Sequence, residues 1–372
     1  MENRQASSRA NGRIGRRDFL LMGTAVGLSA TLPASVQAQT VTTVDVMAVN
    51  AVVEGKLREI LERDAKIRIE AAPFQSSTDV VSRLLAPGGS SRYDFMQSHT
   101  VFSRGPILGE KAGAEKVAAL DLKLIPNVSL VADVFRGDII ERDGKTYGLP
   151  TIWGYDSVLY NRDKIPENDP ATQTWGLIFD DSRAGRIGWF DAPLHMLMAA
   201  GLFLGKTAPE TMVGPELEEV GKFLIAKKKN VRTIWTSFAQ GSNLLANGEI
   251  DCTYGPIPVR YELQQRGFNI TNAWCKEGVL SFVQAAYIPK DAKRKEAAHA
   301  MINSMLGSAY ASQLSPLTGY LSTSKAGAQE LTEAERKRWG YGILDGSTKH
   351  YPLKLPSELA KWIEIWSRVK SA

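Results

Sequence analysis

Polar side chains follow several predicted strands of this chain, at the places where ligands bind in sheet proteins. Asn50 follows a first predicted strand at residues 42–48, and Ser98 and His99 follow a third at residues 93–96. In open sheets with parallel strands, ligands bind beyond the carboxyl ends of the strands. We therefore expect these three residues to line a binding pocket. Helix caps and turns use the same residue types, and that alternative stays open.

Asp191 and His195 form a second group of polar residues that could bind a ligand. Asp191 follows a short predicted strand and precedes Pro193, which suits the first turn of a helix. A carboxylate in that position binds either a ligand ammonium group or the first N–H groups of the helix. His195 lies one turn further on, and a His near an Asp can change its charge around neutral pH. Both residues are candidates for a ligand site, with capping as the alternative role of Asp191.

An aromatic segment in the middle of the chain supplies a candidate for an apolar wall. Gly148 and Pro150 disfavour a helix before it, and residues 152–160 are rich in the aromatic and β-branched residues typical of strands. Gly154 interrupts this strand, which indicates a bend or a close neighbour. If the chain passes here from one lobe to another, Trp153 offers a flat surface to the carbon skeleton of a ligand. The alternative is an ordinary buried strand.

The sequence gives little support for catalysis or metal binding. Its four histidines, at positions 99, 195, 299 and 350, lie far apart and lack the spacing of metal-binding motifs. Residues 200–207 nearly match a phosphate-binding loop, but Ala200 replaces its first glycine and the preceding segment is an apolar helix. No Gly-x-Ser-x-Gly nucleophile elbow occurs. We therefore predict no catalytic residue, no metal and no cofactor.

The elements that must position these residues alternate between strand and helix. This alternation predicts an α/β fold with a parallel sheet and helices on both of its faces. The length of 372 residues suits two domains better than one, and 44% hydrophobic residues provide an ample core. Segments that contain Pro or Gly, near Ile152, Gly255 and Pro316, are candidate crossings between the two domains.

The first 38 residues have the composition of an export signal. Five arginines precede an apolar run at residues 19–32 that is too short to span a bilayer comfortably. Small residues at positions 36 and 38 suit a signal peptidase. Arg16 and Arg17, followed by Phe19 and Leu20, resemble a twin-arginine signal, which exports folded proteins. We predict cleavage after Ala38 and a periplasmic location; the alternative is a basic disordered tail before a buried helix.

The remainder of the chain carries little excess charge, because those five arginines belong to the predicted leader. Its one basic run, at residues 227–229, is typical of a solvated helix end, and nothing in the pattern suggests nucleic-acid binding. No later apolar run is long enough for a membrane span, so we expect a soluble mature protein. Cys252 and Cys275 leave open either a disulfide or two separate buried thiols.

Several motifs resemble those of bacterial periplasmic solute-binding proteins, and most closely those of the spermidine/putrescine-binding branch. The motifs are Tyr147-Gly-Leu-Pro-x-x-Trp-Gly, Leu159-Tyr-Asn, Leu245-Ala-Asn-Gly-Glu-Ile-Asp251, Ile288-Pro-Lys-Asp-Ala-x-x-Lys-Glu-Ala-Ala298 and Thr318-Gly-Tyr320. Their order matches that of the family over nearly all of the mature chain. The resemblance implies the two-lobed periplasmic binding protein fold of type II, with the ligand in a cleft between the lobes.

The resemblance also implies how the chain is divided and what it serves. Residues 39–151 plus 257–313 would form lobe 1, and residues 152–256 plus 314–372 would form lobe 2. The protein would deliver a small-molecule solute to an inner-membrane ABC permease, and we expect it to act as a monomer. The alternative is a periplasmic enzyme, or a binding protein that serves a chemoreceptor, with the same cleft.

Carried over by position, the resemblance gives eight ligand-binding candidates, Ser98, Trp153, Asp191, Trp235, Tyr254, Phe282, Gln284 and Tyr320. Polyamine binders surround ammonium groups with carboxylates and aromatic rings, because a desolvated cation needs an anion or a π face. Here Gln284 stands where the family has an aspartate, and Leu194 or His195 stands near a family glutamate. Residues 50–52 replace an early pair of aromatic residues. We therefore expect a ligand less cationic than a polyamine, namely a small zwitterionic or carboxylated solute.

Overall fold

The computed structural model describes residues 41–372, and the predicted signal peptide lies outside the described residues. The strands within this range are β1 (Thr42–Met47), β2 (Ile67–Ala71), β3 (Phe95–His99), β4 (Ile140–Arg142), β5 (Lys145–Asn161), β6 (Ile187–Phe190), β7 (Val231–Trp235), β8 (Cys252–Pro256), β9 (Ile270–Asn272), β10 (Val279–Tyr287), β11 (Leu321–Ser322) and β12 (His350–Pro352). The α-helices are α1 (Gly55–Ala65), α2 (Ser77–Leu85), α3 (Gly89–Arg92), α4 (Thr100–Leu108), α5 (Pro193–Phe203), α6 (Gly214–Lys227), α7 (Phe238–Ala246), α8 (Ile257–Gln265), α9 (Lys295–Leu306), α10 (Ser308–Thr318), α11 (Ala326–Gln329), α12 (Glu333–Trp339) and α13 (Leu359–Ser371).

Eight of the described strands form one continuous path in the order β2-β1-β3-β10-β5-β8-β6-β7, and β4, β9, β11 and β12 pair with β5 or β10 beside it. At one end β1 is parallel to β2 and β3, and at the other end β6 is parallel to β7 and β8. The two parallel groups are joined by β10 and β5, which run antiparallel to each other and to their outer neighbours. The described chain is thus built from two α/β lobes that share a pair of crossing strands, which confirms the predicted fold class. The prediction of a parallel sheet is wrong for its centre, where β5 and β10 are antiparallel and make the sheet mixed.

Strand β5 passes through both lobes, because a run of 17 residues is long enough to pair with several partners. Its first part pairs with β10 and its last part with β8. Successive side chains of a strand point to opposite faces. Trp153 and Tyr155 therefore point to one face and pack in the core of the first lobe, whereas Val158 and Tyr160 point to the other and pack in the second.

Each lobe has its own apolar core. The first core joins β1 and β2 to the helices α1, α9 and α10, with Leu61, Phe95, Met301 and Tyr310 fully enclosed. The second core is built around four buried tryptophans, Trp175, Trp189, Trp362 and Trp366. Burial of side chains of this size stabilises each lobe by roughly 1.5–3 kcal/mol per residue, before the entropy of ordering is subtracted.

The two cores divide the chain at other places than the predicted lobe boundaries. Leu314, Trp339 and Ile343 pack in the first core, although residues 314–372 were expected in lobe 2. The return to the second core comes later in the chain, at Leu353 and α13. Residues 257–313 are also shared, because Cys275 and Leu280 pack in the second core while α9 and the start of α10 pack in the first.

The two cysteines occur as separate buried thiols. Cys252 Sγ lies 3.5 Å from the carbonyl oxygen of Leu177, and Cys275 Sγ lies 3.5 Å from Ser157 Oγ. Burial raises the pKa of both thiols, that of Cys275 to about 12, so neither is reactive at neutral pH. Among the described helices, none combines the length and the apolar character that a membrane crossing requires.

Candidate ligand-binding cleft

A cavity of about 850 Å³ lies between the two lobes and is lined by residues from both. The first lobe contributes the start of α2 and part of α4. The second contributes the β6–α5 connection and apolar side chains near the C-terminus, such as Leu353 and Ile363. The crossing strands β5 and β10 supply Asp156, Phe282 and Gln284. The cavity therefore lies where strand ends and helix starts meet, as in other open α/β sheets.

Asp156 is the most deeply buried acid in this cavity, with only 4% of its surface exposed. It lies on the same face of β5 as Gly154, opposite to Trp153 and Tyr155. Tyr254 Oη donates a hydrogen bond to its Oδ2 at 2.5 Å. Burial raises the pKa of Asp156 to about 7, although the Tyr254 hydrogen bond acts in the opposite direction. A carboxylate in this state gains most from a cationic partner.

His99 lies at the end of β3, where its ring caps α4. The backbone N–H of Val101 donates to His99 Nδ1 at 3.2 Å, which places the proton of the neutral ring on Nε2. That Nε2 is buried and has no hydrogen-bond partner among the described residues. Burial, and next the charge of His195, lower the pKa of His99 to about 3, so the ring stays neutral. His99 thus carries a buried N–H donor that pairs with no atom of residues 41–372.

Gln284 lies directly opposite His99 in the pairing of β10 with β3. The pairing of β10 with β5 is irregular between Gln284 and Ala285, and such a bulge re-aims side chains. Gln284 Oε1 is buried without a partner in the described part of the chain. His99 and Gln284 are thus neighbours in the sheet, and each has a buried side-chain atom without a hydrogen-bond partner among the described residues.

Phe282 occupies the middle of the cavity floor, between Asp156 and Gln284 along the crossing strands. Its ring lies over Gly154, where an added Cβ would come within 2.5 Å of Phe282 Cζ. The rings of His99 and Tyr320 approach it with centroid distances of 5.8 and 6.2 Å. Gly154, the glycine that interrupts the predicted strand, therefore leaves the space that the Phe282 ring occupies.

His195 lies in the first turn of α5, with its ring edge toward Phe190 and Tyr254 at centroid distances of 5.4 and 5.7 Å. Its Nδ1 is buried and has no partner in the described structure. Burial lowers the pKa of His195 to about 4, so this ring is also neutral at physiological pH. No Lys or Arg is among the side chains of residues 41–372 that line the cavity.

This cleft belongs to a known class of proteins. Residues 25–338 match the family model described as bacterial extracellular solute-binding protein. The chain belongs to this family. The match confirms the predicted resemblance, and it makes the protein a solute-binding component of the kind that serves ABC importers.

Individual relatives of this solute-binding protein are distant but cover most of its length. The putrescine-binding periplasmic protein PotF of Escherichia coli is 23% identical over 329 residues, which cover 83% of this chain and 86% of that protein. The spermidine/putrescine substrate-binding protein PotD of Streptococcus pneumoniae has a similar structure, with a TM-score of 0.72, 16% identity, and coverage of 89% and 98%. MotA of Agrobacterium tumefaciens, solved with glucopine, gives a TM-score of 0.67 at 15% identity, with coverage of 88% and 100%.

The cavity of this solute-binding protein contains six of the predicted site residues, His99, Asp191, His195, Phe282, Gln284 and Tyr320. Tyr254 does not line the cavity itself, but its hydroxyl donates a hydrogen bond to Asp156, which does. Trp235 is also a supporting residue. Its ring stacks on cavity-lining Phe190 at 4.4 Å, and its N–H donates to Thr253 Oγ1.

Three further candidates neither line the cavity nor support a residue that does. Trp153 points to the opposite face of β5, where its ring packs on Phe135 and its N–H donates to the carbonyl oxygen of Ser322 at 2.9 Å. Ser98 is fully buried, with its hydroxyl bonded to Tyr287 Oη. Asn50 Oδ1 accepts a hydrogen bond from the backbone N–H of Phe74, 24 positions later, so its side chain joins two distant segments and serves neither as a helix cap nor in a local turn.

Asp191 lines the cavity but does not cap α5, which corrects the alternative considered above. The N-cap position is Ala192, which makes no side-chain cap hydrogen bond. Instead, Asp191 accepts from Trp366 Nε1 at 2.7 Å and pairs with Lys370 Nζ at 2.9 Å, both on α13. The charge of Asp191 is thus already matched within the protein. Asp156, which sequence reasoning missed, is the carboxylate in the cavity that has no cationic partner among residues 41–372.

Proposed function

We propose that this protein is exported to the periplasm, where it captures a small polar organic solute and delivers it to an inner-membrane ABC permease as a monomer. The observation that carries the proposal is the buried carboxylate of Asp156 in a cleft lined by neutral and apolar side chains. One unpaired carboxylate fits a ligand with fewer positive charges than a polyamine. The ligands in the names of its relatives, putrescine and glucopine, support a broad range of amine-containing solutes.

The twin-arginine leader and cleavage after Ala38 belong to the same proposal. A protein of two α/β lobes with long crossing strands forms many contacts between distant parts of the chain, and such folds form slowly. Export in the folded state, which the twin-arginine route provides, suits this fold.

An enzyme or a chemoreceptor partner is the competing proposal. Catalysis would require a nucleophile beside a base. His99 and His195 are each buried as neutral rings, and the hydrogen bonds of the described residues join neither ring to a Ser or Cys side chain. This arrangement favours binding without turnover.

The test begins with a thermal-shift screen of polyamines, amino acids, amino alcohols and dicarboxylates on the purified mature protein. A ligand at about 100 times its Kd should raise the free energy of unfolding by roughly 2.7 kcal/mol. We expect a smaller radius of gyration in solution scattering with that ligand, because such lobes close by hinge motion. Chromatography should recover the ligand unchanged; a converted product would establish an enzyme instead.

Assays on cells that lack the protein would distinguish a role in transport from a role in chemotaxis. Loss of uptake of the radiolabelled ligand is the result expected for an importer component. Normal uptake combined with lost chemotaxis toward the same ligand would instead assign the protein to a chemoreceptor.

A further inference from the structure

We propose that Lys370 determines the charge of the ligand. Its ammonium group occupies the place at Asp191 that the second ammonium group of a diamine would need, so the cleft selects an amine with a single positive charge. This inference rests on the proposed function, because it names the charge class of the solute and a residue that sets it.

Two carboxylates line the cavity, those of Asp156 and Asp191. Among residues 41–372, the side chains that line it include no Lys or Arg, and its two histidines are neutral. A desolvated ammonium group needs an anion or an aromatic face beside it. Two free carboxylates would therefore suit two ammonium groups, and the partners of each acid show how many places remain open.

The place at Asp191 is filled by the protein itself. Lys370 Nζ lies 2.9 Å from Asp191 Oδ1 and 3.0 Å from Oδ2, and Trp366 Nε1 donates to Oδ1 at 2.7 Å. Asp191 lines the cavity with 23% of its side-chain surface exposed, so a ligand in the cavity can reach it. A ligand ammonium group there would lie close to that of Lys370, and one carboxylate cannot balance two cations.

Helix α13 places Lys370 on the side that faces the cavity. Leu359, Ile363, Trp366 and Lys370 follow one another at intervals of four, three and four residues, and residues at this spacing lie on one side of a helix. Leu359 and Ile363 line the cavity, whereas Trp366 and Lys370 contact Asp191. Helix α13 and strand β6, which precedes Asp191, pack in the same core, so the pairing does not depend on closure of the lobes.

The alternative role of this ion pair is to fasten α13 to the second lobe. The helix is already anchored there by four buried side chains, those of Trp362, Ile365, Trp366 and Val369. The Lys370 side chain is 40% exposed, and ion pairs with this exposure contribute little to stability. The main consequence of the pair is therefore the charge that it removes from the cavity.

Asp156 remains as the place for the ammonium group of the ligand. Its hydrogen-bond partner in the described structure is the hydroxyl of Tyr254, which is neutral. One ligand ammonium group at Asp156, together with Lys370 at Asp191, would leave the cavity electrically balanced. A diamine would bring a further cation into a desolvated space where residues 41–372 provide no free anion.

The experiment compares monoamines and diamines of equal length. Calorimetry on the mature protein would use 1-aminoalkanes and α,ω-diaminoalkanes of four to eight carbons, because the series finds the length that fits the cavity. We expect the wild type to bind the monoamine at least about tenfold more tightly than the diamine. Lys370→Met removes the ammonium group and keeps a side chain of similar length. In this variant the affinity for the diamine of the best length, relative to the monoamine, should rise at least about tenfold.

Further variants separate cavity charge from helix anchoring. Lys361→Met is the matched control, because Lys361 lies on the same helix with 40% of its side chain exposed and pairs with Glu364 outside the cavity. Lys361→Met and Lys370→Arg, which keeps the charge, should both retain the wild-type preference. Lys370→Gln keeps an N–H donor for Asp191 without the charge, and it repeats the test if the Met variant does not fold. Asp191→Asn added to Lys370→Met should abolish the gain for the diamine.

Two results would overturn the inference. The first is a wild type that binds the diamine more tightly than the monoamine. The second is a lower melting temperature in both Lys370→Met and Lys370→Gln with an unchanged preference at every length, since that is the result of a purely structural ion pair. A gain for the diamine that survives Asp191→Asn would also contradict it, because the second ammonium group would then bind elsewhere.

The outcomes distinguish this inference from the proposed function. If the wider thermal-shift screen finds another solute, while the wild type binds none of these monoamines or diamines, the charge class is wrong and the solute-binding function stands. If no solute of any class binds, the proposed function itself fails.

Discussion

At the scale of single residues, Asp156 determines what the cleft can hold. Its carboxylate is enclosed by Tyr254 and by Tyr320, whose own pKa values are raised by burial and by the charge of Asp156. Both tyrosines are therefore neutral over the whole physiological range. His99 and His195, with pKa values of about 3 and about 4, are neutral above pH 5. The pKa of Asp156, in contrast, lies near neutral pH.

Amine binding should depend on pH through this one carboxyl group. Because the pKa of Asp156 is about 7 in the ligand-free protein, the fraction of ionised Asp156 falls about tenfold for each pH unit below that value. We expect Kd for a monoamine to rise by roughly 25-fold between pH 6.5 and pH 5, as measured by calorimetry, because the ionised fraction of Asp156 falls by that factor. Asp156→Asn should have a flat profile over this range. A flat profile for the wild type would show that Asp156 does not bind the amine.

The stability of the ligand-free protein should fall as pH rises, whereas the affinity for an amine should increase. The pKa of Asp156 is higher in the folded chain than its ordinary value of 3.8, so its contribution to stability is fully present below pH 4 and is lost as pH rises through 7. Asp156→Asn should therefore raise the melting temperature at pH 8 and have little effect at pH 4. An equal effect at both pH values would point to a packing change instead.

At the scale of elements, the alternation of side chains along β5 separates binding from packing. The sequence predicts this strand and its glycine, but a one-residue difference in position reverses the face that a side chain occupies. Trp153 is large and aromatic, which suits a cavity wall and a core equally well. Its neighbour Asp156 lies on the cavity face, and that assignment requires the register of β5 against β10.

Other features of the site depend on contacts between distant parts of the chain. Asp191 meets α13 through Trp366 and Lys370, more than 170 positions later in the sequence. No local pattern around Asp191 indicates that contact, whereas the alternation of strands and helices is local and predicts the fold class correctly. The lobe boundaries also depend on contacts between distant parts of the chain, because residues between Leu314 and Ile343 pack in the first core and no local pattern indicates this.

The contact between Gly154 and Phe282 gives a test at this scale. Gly154→Ala places a Cβ within 2.5 Å of Phe282 Cζ, so the ring must shift toward the cavity. We expect stability to fall by roughly 1 kcal/mol and ligand affinity to fall about tenfold, because overpacking moves the cavity floor. Gly137→Ala is the matched control, since an added Cβ there meets no atom within 4 Å. Wild-type affinity in Gly154→Ala would remove Phe282 from the binding surface.

At the scale of the whole molecule, the leader can be tested apart from the cleft. In the full-length chain, Arg16→Lys with Arg17→Lys should leave most of the precursor in the cytoplasm, as measured by cell fractionation and immunoblotting. Arg9→Lys with Arg13→Lys changes the same number of arginines outside the pair and should permit normal export. Normal export of the first double variant would contradict the twin-arginine assignment.

The division of β5 into two faces also bears on how this protein can evolve. Substitutions of Trp153 or Tyr155 enter a packed core and cost stability, so selection removes most of them. A substitution of Asp156 changes the charge of the cavity and disturbs little besides one tyrosine hydroxyl. A lineage can therefore exchange one solute for another through a few mutations on the cavity face, without losing the scaffold. Such an arrangement makes ligand preference the more changeable trait and folding the more robust one.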